Sequence, residues 1–223
     1  LGAAIERLVR LGATASALDA FVRDGEGYAS GAWFPNAVLP VRADVLSRIA
    51  WQMHRRAGVE VYVRFSRFLA MDPAAAVALA DDLAAHVPLG GLLVEDAPAL
   101  AARAGEAGGA PWQVRARRDA IAADTLPPDE RPKLAAMRLI ERAHPGTRVA
   151  VVADGARAPS SIADLTFVAA RYAAALDGLG ADLAPAQRRR LGAWMTASEP
   201  PSAAEVAAVA RAARRRGIAA VGW

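Results

Sequence analysis

Residues 90–98, GGLLVEDAP, run three aliphatic side chains straight into two adjacent carboxylates, Glu95 and Asp96. Polar residues just past other apolar runs add Asp24 and Glu26, Arg64 and Ser66, Asp154, and Ser198 with Glu199. This set is acidic. Carboxyl groups facing each other across a cleft are the working parts of glycoside hydrolysis, where one protonates the leaving oxygen and the other activates water or attacks the sugar. The gap between them, roughly 5 Å for retention and 6.5–9.5 Å for inversion, is set in space and not by sequence spacing. Neighbouring side chains on extended backbone point apart, so Glu95 or Asp96 would pair with an acid from another loop, such as Asp24, Asp154 or Glu199. Asp and Glu are also ordinary in solvated loops, and the pattern alone leaves that reading open.

Other chemistries find less support. The three histidines, His54, His86 and His144, show neither His-x-His nor His-x-x-x-His spacing, so no metal site is expected. No Gly-x-Ser-x-Gly, Gly-x-Gly-x-x-Gly or Gly-x-x-x-x-Gly-Lys-Ser/Thr occurs, which argues against a serine-hydrolase elbow and a nucleotide-binding loop, and no cofactor is implied. A phosphate grip near the last two apolar runs would have only Gly192 and Gly217 to draw on. Aromatics close to the strand ends, Tyr28, Trp33, Phe34, Phe65, Phe68 and Trp223, could stack on sugar rings or fill the core.

The elements that must carry these residues alternate. Amphipathic periodicity predicts helices near residues 1–10, 42–57, 73–86, 133–143, 161–176 and 202–216. Short apolar runs predict strands at 14–21, 59–65, 90–94, 148–153 and 218–223, with a weaker one near 191–195. Ser202 and Glu205 form a capping box, and Gly58 and Gly217 mark helix ends. Residues 99–132, rich in Gly and Pro, are expected to be a long excursion with one short helix. Helices alternating with non-alternating apolar strands imply parallel strands covered by helices. The expectation is a single α/β domain over residues 1–223, an incomplete (β/α) TIM-like barrel that opens on a helix and lacks a first strand, with its site at the C-terminal strand ends.

Composition suits a soluble globular domain: 54% hydrophobic and 22% charged residues over 223 positions. No apolar run approaches the roughly 20 residues of a membrane span. Absence of Cys excludes disulfides and thiolate metal sites. The net charge of +4 and pI near 10.2 raise the question of a nucleic-acid partner. The arginine runs QRRR (187–190) and RAARRR (211–216) lie in helical stretches without interleaved aromatics, so they read as solvated helix faces, and no nucleic acid is expected. The chain starts on Leu1 with no basic and apolar leader, which reads as a removed signal or a segment of a longer protein.

Residues 32–63, AWFPNAVLPVRADVLSRIAWQMHRRAGVEVYV, carry Phe34-Pro35-Asn36, Leu39-Pro40, Arg42-Ala43-Asp44, Trp51-Gln52, Arg56, Gly58 and Tyr62 in one register. This segment resembles the C-terminal glycoside-hydrolase-like domain of the bacterial poly-β-1,6-N-acetylglucosamine N-deacetylases. IERLVRLG and LDAFVRDGEG upstream, and GGLLVEDAP, AWMTASE and AAVGW downstream, extend the resemblance more loosely over most of the chain. It implies binding, and in some members hydrolysis, of the partly deacetylated polymer, a periplasmic or outer-membrane-associated location, and a separate N-terminal deacetylase domain in the full-length protein. Nothing in this chain resembles that deacetylase half. A cationic amino sugar polymer would suit an acidic rim.

Strand-end position and the resemblance together make Asp96, Glu95 and Glu199 the catalytic candidates. Asp24, Trp33, Asn36, Arg42, Asp44, Tyr62, Arg64, Asp154 and Trp223 are the candidates for substrate binding on the same two grounds. Two departures fall among these residues. Glu95 stands where the family has His, Asp96 keeps one Asp of a pair, and Ala97 replaces the other. Arg64 stands where the family has Trp. A non-catalytic binding or export module of the same fold is the alternative.

Overall fold

The computed structural model describes residues 2–10, 14–25, 29–65, 73–103, 110–153, 159–169, 176–177, 179, 181–194, 202–218 and 220–222. Along the chain come helix α1 (Gly2–Arg10), strands β1 (Ala15–Asp19), β2 (Phe21–Arg23) and β3 (Ala29–Ala32), helix α2 (Leu46–Ala57), β4 (Glu60–Phe65), α3 (Pro73–His86) and β5 (Gly91–Val94). Two short helices, α4 (Pro98–Ala101) and α5 (Pro111–Asp119), and a 3-10 turn (Ala123–Thr125) follow. The remainder is α6 (Arg131–Ala143), β6 (Arg148–Ala153), β7 (Leu165–Ala169), α7 (Pro185–Arg188), β8 (Leu191–Trp194), α8 (Ala203–Arg215) and β9 (Ala220–Gly222).

The chain divides into two compact units. Unit 1 comprises residues 1–95 and 126–149, and unit 2 comprises residues 96–125 and 150–223. The boundary falls inside β6, after Val149.

In unit 1, β1, β4 and β5 lie side by side and parallel, in that order. All four residues of β5 are buried, as expected of a strand covered on both faces. Leu79 and Leu83 of α3, Leu134, Met137 and Ile140 of α6, and Val61 and Val63 of β4 supply much of the buried core. α2 stops at Gly58, whose φ of 63° is the left-handed conformation that glycine adopts without a Cβ penalty. In register, Tyr62 lies opposite Gly91. A Cβ on Gly91 would sit 2.2 Å from the Tyr62 ring, so only glycine leaves that ring its place.

In unit 2, β6, β7, β8 and β9 are parallel and neighbours in that order. Its core joins Val168, Leu176, Leu191 and Ala193 to Val209, Ala212, Ala213 and Ile218. The Ser202 hydroxyl accepts from the Glu205 amide, and the Glu205 carboxylate accepts from the Ser202 amide and hydroxyl, so the predicted capping box forms. α8 ends with Gly217 at φ 69° and the Ile218 amide on the Ala213 carbonyl, a Schellman closure that seats Ile218 in the core.

The structure corrects several boundaries. Residues 165–169, expected inside a helix, form β7, since the β-branched and aromatic run Leu-Thr-Phe-Val suits a buried strand and a short apolar run carries no decisive period. The first predicted strand breaks at Ala20. Its last residue, Phe21, opens β2, which pairs antiparallel with β3 where a polar loop was expected. α2 starts four residues later than expected, at Leu46, leaving Arg42 and Asp44 in the preceding loop. The Gly/Pro-rich excursion carries two short helices instead of one.

Candidate functional site

The parallel register of unit 1 builds an ionic cluster at the C-terminal strand ends. Asp19 pairs with Arg64 across β1 and β4, and Arg64 with Leu93 across β4 and β5. Glu95 lies two residues beyond Leu93, so strand alternation returns its side chain to the face that carries Asp19 and Arg64. Arg64 Nη2 donates to Glu95 Oε1 and Oε2 at 2.9 and 3.0 Å, and Nε to Oε2 at 3.3 Å. Its Nη1 donates to Asp19 Oδ2 at 3.4 Å, and Arg23 Nη2 donates to Asp19 Oδ1 at 3.0 Å. The Glu95 carboxylate is the most enclosed member, its side chain 13% exposed against 28% for Arg64 and 44% for Asp19. Behind it, the buried Lys133 of α6 donates Nζ to the Glu95 carbonyl at 3.1 Å.

Glu95 therefore lies where the sequence puts it, at a strand end, with both oxygens engaged by a guanidinium. In that state it is a held anion, suited to orienting Arg64 or a sugar hydroxyl. Asp19 is the member that sequence reasoning missed. The run 14–21 reads as one strand, which moves the expected strand end to Asp24; the available signal is Asp19 itself, the charged residue inside that run. Asp24 is exposed beyond β2. In unit 2, Asp96 is exposed and is the one non-glycine residue with positive φ, 51°, among the described residues. Short polar Asp tolerates the left-handed region better than most side chains, and such conformations concentrate at functional sites.

The other motif residues are placed as follows. Asn36 holds its own loop: Nδ2 donates to the Phe34 carbonyl at 3.1 Å, and Oδ1 accepts from the amides of Val38 and Leu39 at 3.0 and 2.6 Å. Trp33 is half-buried, with its amide on the Ala20 carbonyl and its carbonyl accepting from Val45 and Leu46 at the start of α2. Arg42 lies beside Gly31, where a Cβ would meet its side chain at 3.1 Å. Asp44 accepts from the Ser47 hydroxyl at 2.8 Å. Tyr62 is buried with its ring over Gly91. The structure thus gathers Asp19, Arg23, Arg64 and Glu95, while Trp33, Asn36, Arg42 and Asp44 shape the loop between β3 and α2. Asp154, Glu199 and Trp223 lie outside the described residues, as do Glu26, Tyr28, Ser66, Phe68 and Ser198.

Unit 2 has its own arginine cluster. The fully buried Arg118 donates Nε to the Ile162 carbonyl at 2.8 Å and lies 3.6 Å from Asp164. Arg117 donates to the Ser161 carbonyl, and Arg190 to those of Ser160 and Ala163. Burial, and secondarily the positive charge of Arg117, lowers the Arg190 pKa, an effect opposed by Asp164. These arginines fasten the segment leading into β7. Surface depressions of about 410 Å³ between α1 and α2 and about 590 Å³ between α3 and α6 are lined by helix residues, none at a strand end. No group of three or more His, Cys, Asp or Glu suited to a metal ion occurs among the described residues, and no described helix is long and apolar enough to cross a membrane.

Comparison with known proteins points in one direction. Residues 1–65 match the model of a family described as hypothetical glycosyl hydrolase family 13. A stretch of 39 residues is 51% identical to the poly-β-1,6-N-acetyl-D-glucosamine N-deacetylases of Escherichia coli strains K12 and O157:H7. That stretch is 18% of this chain and 6% of the length of those relatives. The glycoside hydrolase domain of PgaB (BpsB) from Bordetella bronchiseptica superposes with a TM-score of 0.67 over 99% of this chain and 86% of its own, at 19% identity. The chain is therefore similar to the glycoside-hydrolase-like domain of this deacetylase family, as its motifs imply. Its fold is of that domain's α/β type, with described strands parallel within each unit, as in an incomplete (β/α) TIM-like fold.

Proposed function

We propose that this domain binds partly deacetylated poly-β-1,6-N-acetylglucosamine through its strand-end residues, in the periplasm or at the outer membrane, alongside a deacetylase domain carried elsewhere in the full-length protein. The observation that carries this reading is the Asp19–Arg64–Glu95 cluster at the ends of three parallel strands, where a (β/α) fold collects its ligand contacts. Sugar hydroxyls and acyl groups are met by such partly exposed carboxylates and guanidinium edges. Glu95, held on both oxygens by Arg64, acts in this reading as an anchor and not as a proton donor.

Hydrolysis is the second reading, favoured by one observation: the exposed, left-handed Asp96 at the end of β5. In it Asp96 is one acid and Asp154 or Glu199 its partner. Incubating the domain with partly deacetylated polymer tests both readings. Shortened oligosaccharides that disappear in Asp96→Asn support hydrolysis, retention of polymer with no shortening leaves the binding module, and neither retention nor shortening rejects both.

A further inference from the structure

We infer that Arg64 is a specificity-determining residue that closes Asp19 and Glu95 to the ammonium group of a deacetylated sugar, so that this part of the site rejects glucosamine. The inference rests on the polysaccharide-binding reading and names which sugar the unit 1 strand ends refuse.

A carboxylate recognises an ammonium only if its charge is available. Here each acid is already matched. Both Glu95 oxygens accept from Arg64, and the two oxygens of Asp19 accept from Arg64 and Arg23. Two carboxylates thus face two guanidinium groups, and Lys133 adds a third cation against the Glu95 carbonyl. An arriving ammonium would have to displace a bidentate guanidinium from a largely enclosed carboxylate, or stay beside carboxylates whose charge is already matched by Arg64 and Arg23. A planar guanidinium on a carboxylate is a more specific partner than a point-like ammonium, so displacement is disfavoured. An uncharged N-acetyl group meets no such opposition, and its carbonyl is an acceptor for guanidinium donors. Arg64 can do this because of its place in the register, opposite Asp19 on one side and two residues short of the Glu95 level on the other.

The test is titration calorimetry at about pH 6, where an amine of this kind carries its proton, with fully acetylated and fully deacetylated β-1,6-linked glucosamine hexamers. Wild type is expected to bind the acetylated hexamer more tightly. Arg64→Gln uncovers Glu95 and one oxygen of Asp19 and is expected to raise affinity for the deacetylated hexamer about tenfold, while the acetylated hexamer, which loses a guanidinium donor, binds no more tightly. Arg64→Lys retains a cation without the two-pronged contact and should give a preference between those of wild type and Arg64→Gln. If Arg64→Gln fails to fold, Arg23→Gln removes only the exposed partner of Asp19 and should raise deacetylated-hexamer affinity about two- to threefold. An unchanged ratio in the folded variant, or tighter wild-type binding of the deacetylated hexamer, overturns the inference alone. Binding of neither hexamer overturns it together with the polysaccharide-binding reading.

Discussion

Units 1 and 2 share one packing device and differ in how they use arginine. Each places a glycine in register with an aromatic ring on the neighbouring parallel strand, Gly91 beside Tyr62 in unit 1 and Gly192 beside Phe167 in unit 2. A Cβ would sit 2.2 Å from one ring and 2.5 Å from the other. In unit 2 the Phe167 ring then meets Trp194 edge-on at 5.4 Å. The arginines part company. Arg64 lies at strand ends, partly exposed and held by carboxylates; Arg118 is sealed in and held by a backbone carbonyl and Asp164. Charge matched to charge at a partly exposed strand end leaves guanidinium and carboxylate edges that a ligand can meet. Charge spent on backbone carbonyls in the interior is structural, since removing it strands groups that water cannot reach.

The sharpest way to break this contrast is Arg118→Ala, expected to cost about 3–5 kcal/mol in urea unfolding because it leaves Asp164 without its buried cation. A cost below about 1 kcal/mol would place Arg118 with the surface arginines. Next in size are Gly91→Ala and Gly192→Ala, each expected to destabilise by about 1–3 kcal/mol as the added methyl drives the ring aside. A neutral outcome at one glycine and not the other would show that the shared device is shared in sequence only.

Helix capping and the exposed arginine are expected to matter less. Ser202→Ala should cost about 1 kcal/mol by removing the α8 cap. Arg64→Gln should cost about 1 kcal/mol or less, since its ion pairs are only partly buried. Equal costs for Arg64→Gln and Arg118→Ala would abolish the division between a ligand-facing and a structural arginine. The smallest effect concerns pH. The Ser202 hydroxyl and then the Ser202 amide hold the Glu205 carboxyl below its ordinary range. A depressed acid contributes stability above its unfolded value, about 4.3 for Glu, and loses it as pH falls through the folded value. A thermal melt series from pH 6 downward should therefore show a slight acid-side decline that Glu205→Gln removes.

Some of this architecture was legible because it is local. α3 falls on its predicted residues, and α8 forms with the cap and glycine stop read from Ser202, Glu205 and Gly217. Glu95 was found because a buried aliphatic run that ends on an acid marks a strand end without help from the rest of the chain. β7 was missed because a five-residue run with four apolar side chains satisfies a strand and a helical face alike, and only neighbouring strands on either side select one. Motif residues such as Asn36 and Asp44 were visible as a pattern, while their loop-holding bonds were not.

The sequence by itself determined the α/β class, the span of α3, the cap and stop of α8, and the strand-end position of Glu95, all consequences of short-range periodicity and turn chemistry. Tertiary structure decided the charge pairing of the candidate site. Asp19 and Arg64 are 45 residues apart and Arg64 and Glu95 are 31 apart, so their pairing exists only once parallel register aligns three strands. Register is a property of the sheet, set by which apolar faces are buried together, and no window of the chain contains it.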